Sequence, residues 1–400
     1  MSRILKASIS VFTFMLLFAF AAYAQIAVKG ELIWTMAGEP IQNGVILIKD
    51  GKIEKIGPAS QISIPNGYQV LSAKVVTPGL IDAHTVIGLN GYLNQPHDQM
   101  ALDSSSPMQP ELRAIDAYNS QEKLVEWVRE FGVTTIHTGH QPSSLIPGQT
   151  MIAKTWGKTI DDVTLVPTAM VAVVLGNAAI AGQGRSPGTR AKQIAMLRAE
   201  LIKAKENLEK KEPPKDPRSE IMMKIAKGEI RLLITAQKDQ DIISALRLAK
   251  EFNLKIVLDG VADAQLVMNE IKASGFPVIV HPTMARPGGD ASNLSLETAA
   301  KLKAAGIPVA LQSGYESYVP KTRVVLFEAA MAAANGLSKA DALALITIDA
   351  AKILGLDNRI GSLVVGKDAD LALYDGDPFE YTSHCIGTII NGQIVSQTVR

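Results

Sequence analysis

The chain has 400 residues, 47% of them hydrophobic, and its 40 basic side chains balance 39 acidic ones. That apolar content suffices for one large α/β domain with an appendage, and the even charge offers no basic face of the kind nucleic acid requires. The single cysteine, Cys385, excludes an internal disulfide framework, so the fold has to rest on its core.

Residues 1–24 carry Arg3 and Lys6, an apolar run from about Val11 to Ala22, and Ala22-Tyr23-Ala24 ahead of Gln25. This order predicts a secretory signal cleaved before Gln25, and with it an exported protein, periplasmic or extracellular. The apolar run is shorter than the ~20 residues a membrane span needs, which disfavours a retained anchor. No later segment reads as transmembrane, so no stable membrane anchor is expected after cleavage.

Short β-rich segments follow: Ile26 to Thr35, Val45 to Lys49 and Lys52 to Ile56, the last two joined by Asp50-Gly51, a type I′ hairpin signal. The far end repeats the style, with Asp370 to Tyr374, Gly387 to Ile390, then Asn391-Gly392 and Gln393 to Val395. Two β-rich ends around an α/β middle predict that the termini meet in one small sandwich. In the middle, apolar runs alternate with helical patterns: Gly132 to Ile136, Thr164 to Pro167, Leu232 to Thr235, Lys255 to Leu258, Pro277 to Val280 and Pro308 to Leu311. Continuous apolar strands separated by helices imply a parallel sheet covered on both faces. Counting the strand before His84, an eight-stranded barrel with one poorly marked strand and a doubly wound sheet both fit. Lys192 to Lys211 has helical periodicity with interleaved Glu and Lys, which reads as a solvated outer helix ended by Glu212 to Pro217. Cys385 reads as a small hydrophobe in a strand.

One segment narrows the choice. Thr77-Pro78-Gly79-Leu80-Ile81-Asp82-Ala83-His84-Thr85-Val86 resembles the first barrel strand of the amidohydrolase superfamily, imidazolonepropionase-like branch. Gly44 to Gly57 looks like that family's N-terminal sandwich hairpin, and Ile360 to Leu371 like its C-terminal return. Further similarity lies in Pro110 to Arg113, Gly148-Gln149 and Gly184 to Arg190. The resemblance implies a (β/α)8 TIM-like barrel over 78–358 and a composite β-sandwich from 25–77 plus 359–400, behind the signal peptide 1–24. It also implies a divalent metal, zinc or similar, that activates water for hydrolysis of amide, cyclic amide or peptide-like C–N bonds, and a homodimer as the assembly.

Carried over position by position, the resemblance keeps His84 and little else. The first strand normally ends His-x-His, and the second place is Val86. The fifth strand reads Thr235-Ala236-Gln237, the sixth Leu258-Asp259-Gly260, and the eighth Gln312-Ser313-Gly314-Tyr315 where the family presents its catalytic aspartate. A catalytic zinc site uses three protein ligands, so the metal is expected to be absent or weakly held and hydrolysis impaired. The alternative is a metal-free pseudoenzyme, a small-molecule-binding or scaffold protein of the cell envelope.

Asp82 and His84 lie two apart on one strand and face the same side, either as a remnant catalytic pair or as a hydrogen-bonded pair that steadies the barrel mouth. His137 and His140 follow the second strand, as chelators or as backbone-bonded loop residues. His281 and Arg286 point to the mouth in this register, either to bind a carboxylate or phosphate or to cap loops; with Arg185 and Tyr315 they form the expected substrate-binding set, and an open mouth would also be rimmed by Arg190. A rewired metal site from His84, His137, His140, Asp259 and His281 requires three of these side chains to converge. Ser143 and Ser144 lack a Gly-x-Ser-x-Gly elbow, Gly182-Gln183-Gly184 reads as a turn, and His97 and His384 as surface residues.

Overall fold

The computed structural model describes residues 25–93, 95–182, 184–315 and 324–400; the expected signal segment lies outside these. Four strands open the chain: β1 (Ile26–Ile33), β2 (Ile41–Lys49), β3 (Lys52–Pro58) and β4 (Gln69–Pro78). Asp50 and Gly51 both take left-handed backbone, φ 50° and 78°, as a type I′ turn between β2 and β3 demands.

The α/β middle contains β5 (Leu80–Thr85), β6 (Val133–Thr138), β7 (Gly148–Gln149), β8 (Met151–Lys154), β9 (Thr164–Val166), β10 (Met170–Val174), β11 (Arg231–Ala236), β12 (Ile256–Gly260), β13 (Val278–Val280) and β14 (Val309–Ala310). β5 and β6 are parallel, as are β10 through β14 in order. Backbone hydrogen bonds join the two groups: Ala83 N to Leu311 O at 3.2 Å and Gly314 N to His84 O at 3.1 Å. Nearly every residue of these parallel strands is buried, the consequence of helices outside and packed side chains within.

Two expectations need correcting. Thr164 to Pro167 is not a main strand: β9 is a half-buried ribbon antiparallel to β8, stopped at Pro167. The strand parallel to β11 is Met170–Val174, five buried apolar residues in succession. The poorly marked strand is the stretch β7–β8, and it runs antiparallel to both neighbours, β6 and β10.

The chain closes with β15 (Leu371–Tyr374), β16 (Cys385–Ile390) and β17 (Gln393–Ser396), turned at Asn391 and Gly392, both again left-handed. Both chain ends therefore share one seven-stranded sheet, in the order β17-β16-β15-β4-β1-β2-β3. It folds over on itself, so that Ile48 and Ile53 pack against Leu371, Leu373 and Ile389. Where sheet and strands of the α/β middle meet, Lys154 is buried between Asp370 and Asp368, 3.3 Å from the latter. Asp368 also takes Lys52 at 2.6 Å and Arg359 at 2.7 Å, and Asp370 accepts the Asn391 amide.

Outer helices are capped as their sequences demand. Thr189 caps Arg190–Glu209, the expected solvated helix, and Asp216 caps Pro217–Ala226, so the Pro-rich stretch between them starts the second helix as well as ending the first. Among the described residues no helix is long and apolar enough to cross a membrane.

Candidate functional site

The ends of β5, β11, β12, β13 and β14 converge on a cavity of about 80 Å³. His84, Val86, Thr235, Gln237, Asp259, His281, Gln312 and Tyr315 line it. Strand alternation puts His84 and Asp259 here: each sits near the last residue of a buried strand, beyond the apolar layers that fill the interior.

His84 and Asp259 form the centre. Nδ1 of His84 stands 3.2 Å from Oδ1 of Asp259, and both side chains are almost fully buried. Asp259 is saturated: Gln312 Nε2 donates to Oδ1 at 2.6 Å and Thr235 Oγ1 to Oδ2 at 2.6 Å. Gln312 is itself fixed by a second bond to the Val280 carbonyl at 3.0 Å. Burial works against charge on His84, but the Asp259 carboxylate, with Asp82 farther off, outweighs it and raises the imidazole pKa. Burial likewise opposes charge on Asp259, yet the His84 cation and the two donors hold its pKa below the usual carboxylate value. His84 and Asp259 thus favour each other's charged forms, and among the described residues neither ring nitrogen of His84 makes a hydrogen bond of good geometry, with Nε2 facing no partner at all.

The other histidines do different work. Nδ1 of His137 donates to Ala83 O at 2.7 Å, so Nε2 accepts from Thr150 Oγ1 at 2.7 Å. Burial and the neighbouring His84 charge push its pKa down to about 3. His281 repeats the pattern, donating to Pro282 O at 2.9 Å and accepting from Thr298 Oγ1 at 3.2 Å; burial lowers its pKa to about 4. Both are neutral rings that tie loops to strands. His140 is buried beside Gly148 without a hydrogen bond to either nitrogen, and burial holds its pKa down. His97 is exposed in a short turn, and His384 pairs with Asp375 at 3.0 Å on the surface.

Asp82 does not pair with His84 as a local reading suggested. Its Oδ1 accepts the Ser313 amide at 2.9 Å, reaching across to the segment after β14. Tyr315 lines the cavity, and Arg286 and Arg185 are not among its lining residues. Arg190 is fully engaged: its guanidinium meets Asp241 and Asp290, each at 2.9 Å, and so clamps the loop after β10 to the loop after β13.

The convergence that a rewired metal site from His84, His137, His140, Asp259 and His281 requires does not occur. His137 and His281 have both nitrogens occupied, the oxygens of Asp259 are taken, and Val86 places an isopropyl group in the lining. Among the described residues no three His, Cys, Asp or Glu side chains come together to hold a metal ion. The donor set does not fit the divalent metal that amidohydrolases generally use. Sequence reasoning marked Thr235 and Gln312 only as missing ligands; that each fell on a strand end beside a new carboxylate was the available sign of their role.

Comparison with known proteins agrees with this architecture. Residues 256–396 match the family model described as the amidohydrolase family. An imidazolonepropionase of Solibacter usitatus is 24% identical over 378 residues, covering 87% of this chain and 88% of that one. The solved amidohydrolase of Thermotoga maritima superposes with a TM-score of 0.88 at 25% identity, over 93% of this chain and all of that one. Molinate hydrolase shares the fold at a TM-score of 0.59 and 14% identity, over 94% and 95% of the two chains. The chain is thus similar to amidohydrolases, in sequence over residues 256–396 and in fold over nearly its whole length. The sequence likeness that spans most of the chain is to an imidazolonepropionase.

Proposed function

We propose that this protein is an exported, metal-free member of the superfamily that binds a small molecule at its barrel mouth and has lost metal-dependent hydrolysis. The observation that carries this reading is the His84–Asp259 pair. It balances charge where a metal and its ligands are expected, and Thr235 and Gln312 complete the carboxylate's hydrogen bonding. Residues 78–358 then act as a closed ring of eight strands, and the sheet of 25–77 plus 359–400 as its support. Export rests on the leader-like residues 1–24, and a homodimer on family likeness.

A second reading has its own support. A raised His84 pKa and an Nε2 without a partner among the described residues support a general-acid role, which suits slow C–N hydrolysis without a metal.

Metal content of untagged protein spanning Gln25 to Arg400, purified without chelator and measured by inductively coupled plasma mass spectrometry, tests the main reading. The expected result is background for every divalent metal. Near-stoichiometric zinc, manganese or iron overturns it. Hydrolysis of an amide panel that vanishes in His84→Gln decides for the second reading.

A further inference from the structure

The cavity at the strand ends is small for the ligand assigned to it. At about 80 Å³ it falls short of the ~300 Å³ or more of an ordinary small-molecule pocket, and His84, Val86, Asp259, His281 and Gln312 in its wall are buried. Binding therefore requires some part of the mouth to move.

The segment after β13 is built to do so. Its root is fixed: Thr283 is buried, and its hydroxyl and the Met284 amide donate to the buried Glu328 carboxylate at 2.6 and 2.9 Å. From Met284 to Glu297 every residue is at least partly exposed, so no core side chain pins the rest. Polar bonds hold it instead, to the loops of three successive strands. Asn293 Nδ2 donates to Asp263, past the end of β12, at 2.7 Å, and Ser292 Oγ accepts from Lys238, past β11, at 3.1 Å. Asp290 accepts from the backbone and side-chain amides of Asn177, past β10, at 2.6 and 2.8 Å, and from Arg190 at 2.9 Å. The segment thus leaves the cavity wall at His281 and Pro282 and reaches back across the ends of β12 and β11, whose Asp259 and Thr235 line the same cavity. A stretch with a buried root and partly exposed, charged fastenings opens locally far more readily than the strands beneath it.

We propose that residues 284–297 are a strap over the cavity, latched at Asp290, Ser292 and Asn293, and that release of the Asp290 latch admits the ligand to His84. The proposal rests on the small-molecule reading above and supplies its gate.

Thiol labelling of the Gln25–Arg400 chain tests it. Val86→Cys puts a thiol in the cavity wall, while the native Cys385, buried in β16 with its pKa pushed up to about 11, reports global opening. Iodoacetamide, followed by peptide mass, is expected to label the introduced thiol about tenfold faster when Asp290→Asn is added, with Cys385 unchanged. Sodium chloride at about 1 M should speed labelling in Val86→Cys and act less once Asp290→Asn is present. Hydrogen exchange with native Val86 gives a second reading: Asp290→Asn should speed the amides of 284–297 about tenfold and leave those of β12 and β13 as they are. Equal labelling rates with and without Asp290→Asn, Cys385 accelerated in step with the introduced thiol, or unchanged exchange in 284–297 overturns the strap. No ligand enters these measurements, so their failure is separate from that of the small-molecule reading, which metal content tests.

Discussion

Two buried ion clusters, one below the strands and one at their mouth, are built from similar parts and do different things. At the base, Lys154 is sunk between Asp370 and Asp368, and both carboxylates have further partners in Lys52, Arg359 and the Asn391 amide. Each charged group there faces at least one opposite charge of the protein. At the mouth, Asp259 is equally saturated, but its partner His84 keeps a ring nitrogen open in the wall of a cavity. Burial of charge is compensated in both places. What separates a clamp from a site is an uncommitted hydrogen-bonding atom that borders empty space.

Breaking the clamp is expected to have the largest effect. Lys154→Ala leaves two carboxylates short of their buried counter-charge and should destabilise the chain by about 3–5 kcal/mol, read as the shift in a urea unfolding midpoint. A loss below about 1 kcal/mol would mean that Lys52 and Arg359 hold the junction without it.

Next comes an attempt to rebuild the mouth. Gly314 has φ +67°, and a Cβ there runs into Pro282 Cγ. Gly314→Asp, which restores the family's catalytic residue type, should therefore cost about 3 kcal/mol in the same experiment and confer no amide hydrolysis. Gain of hydrolysis at unchanged stability would show that the mouth has only been paused.

The acid response distinguishes the neutral histidines from the charged pair. His281 has its pKa pushed from 6.5 to about 4 in the folded state, so the unfolded chain takes up protons first and stability falls as pH drops from about 6.5 toward about 4. That single group is worth up to about 3 kcal/mol over the interval, and His281→Gln should flatten this limb of a stability profile. His84 acts in the opposite sense. Its folded pKa is raised, so its contribution is complete below about 6.5 and is lost as pH rises through the raised value. The smallest effect belongs to Thr235→Val, which removes one donor from Asp259 and should cost about 1.5–2 kcal/mol by thermal unfolding; a neutral result would mean that Gln312 alone satisfies the carboxylate.

Much of the frame was legible because it is written in local chemistry. Asp50-Gly51 and Asn391-Gly392 turn where their left-handed backbones allow, and the apolar runs at β6, β11, β12 and β13 became strands. Met170–Val174 was passed over because Thr164 to Pro167, only a few residues earlier, carries the same kind of apolar signal, and only pairing with β11 separates them. The site was legible as a list of absences and illegible as a network. Val86, Gln237 and Gln312 announce missing ligands, but that Gln312 and Thr235 both turn onto Asp259 depends on β11 pairing with β12 and on the end of β14 reaching across β13, which no window of sequence contains. Lys154 at the end of a buried strand was a visible oddity, and its partners lie over 200 residues away.

The sheet shared by the two chain ends sets when β4 can gain its second neighbour. β4 pairs with β1 on one side and with β15 on the other, and the β15 contact joins Val76 to Leu373, about 300 residues apart. Native pairing of the first strands is thus completed only after the last thirty or so residues have left the ribosome, a high-contact-order topology that folds slowly. Until its end arrives, a chain emerging from synthesis leaves one edge of β4 unpaired.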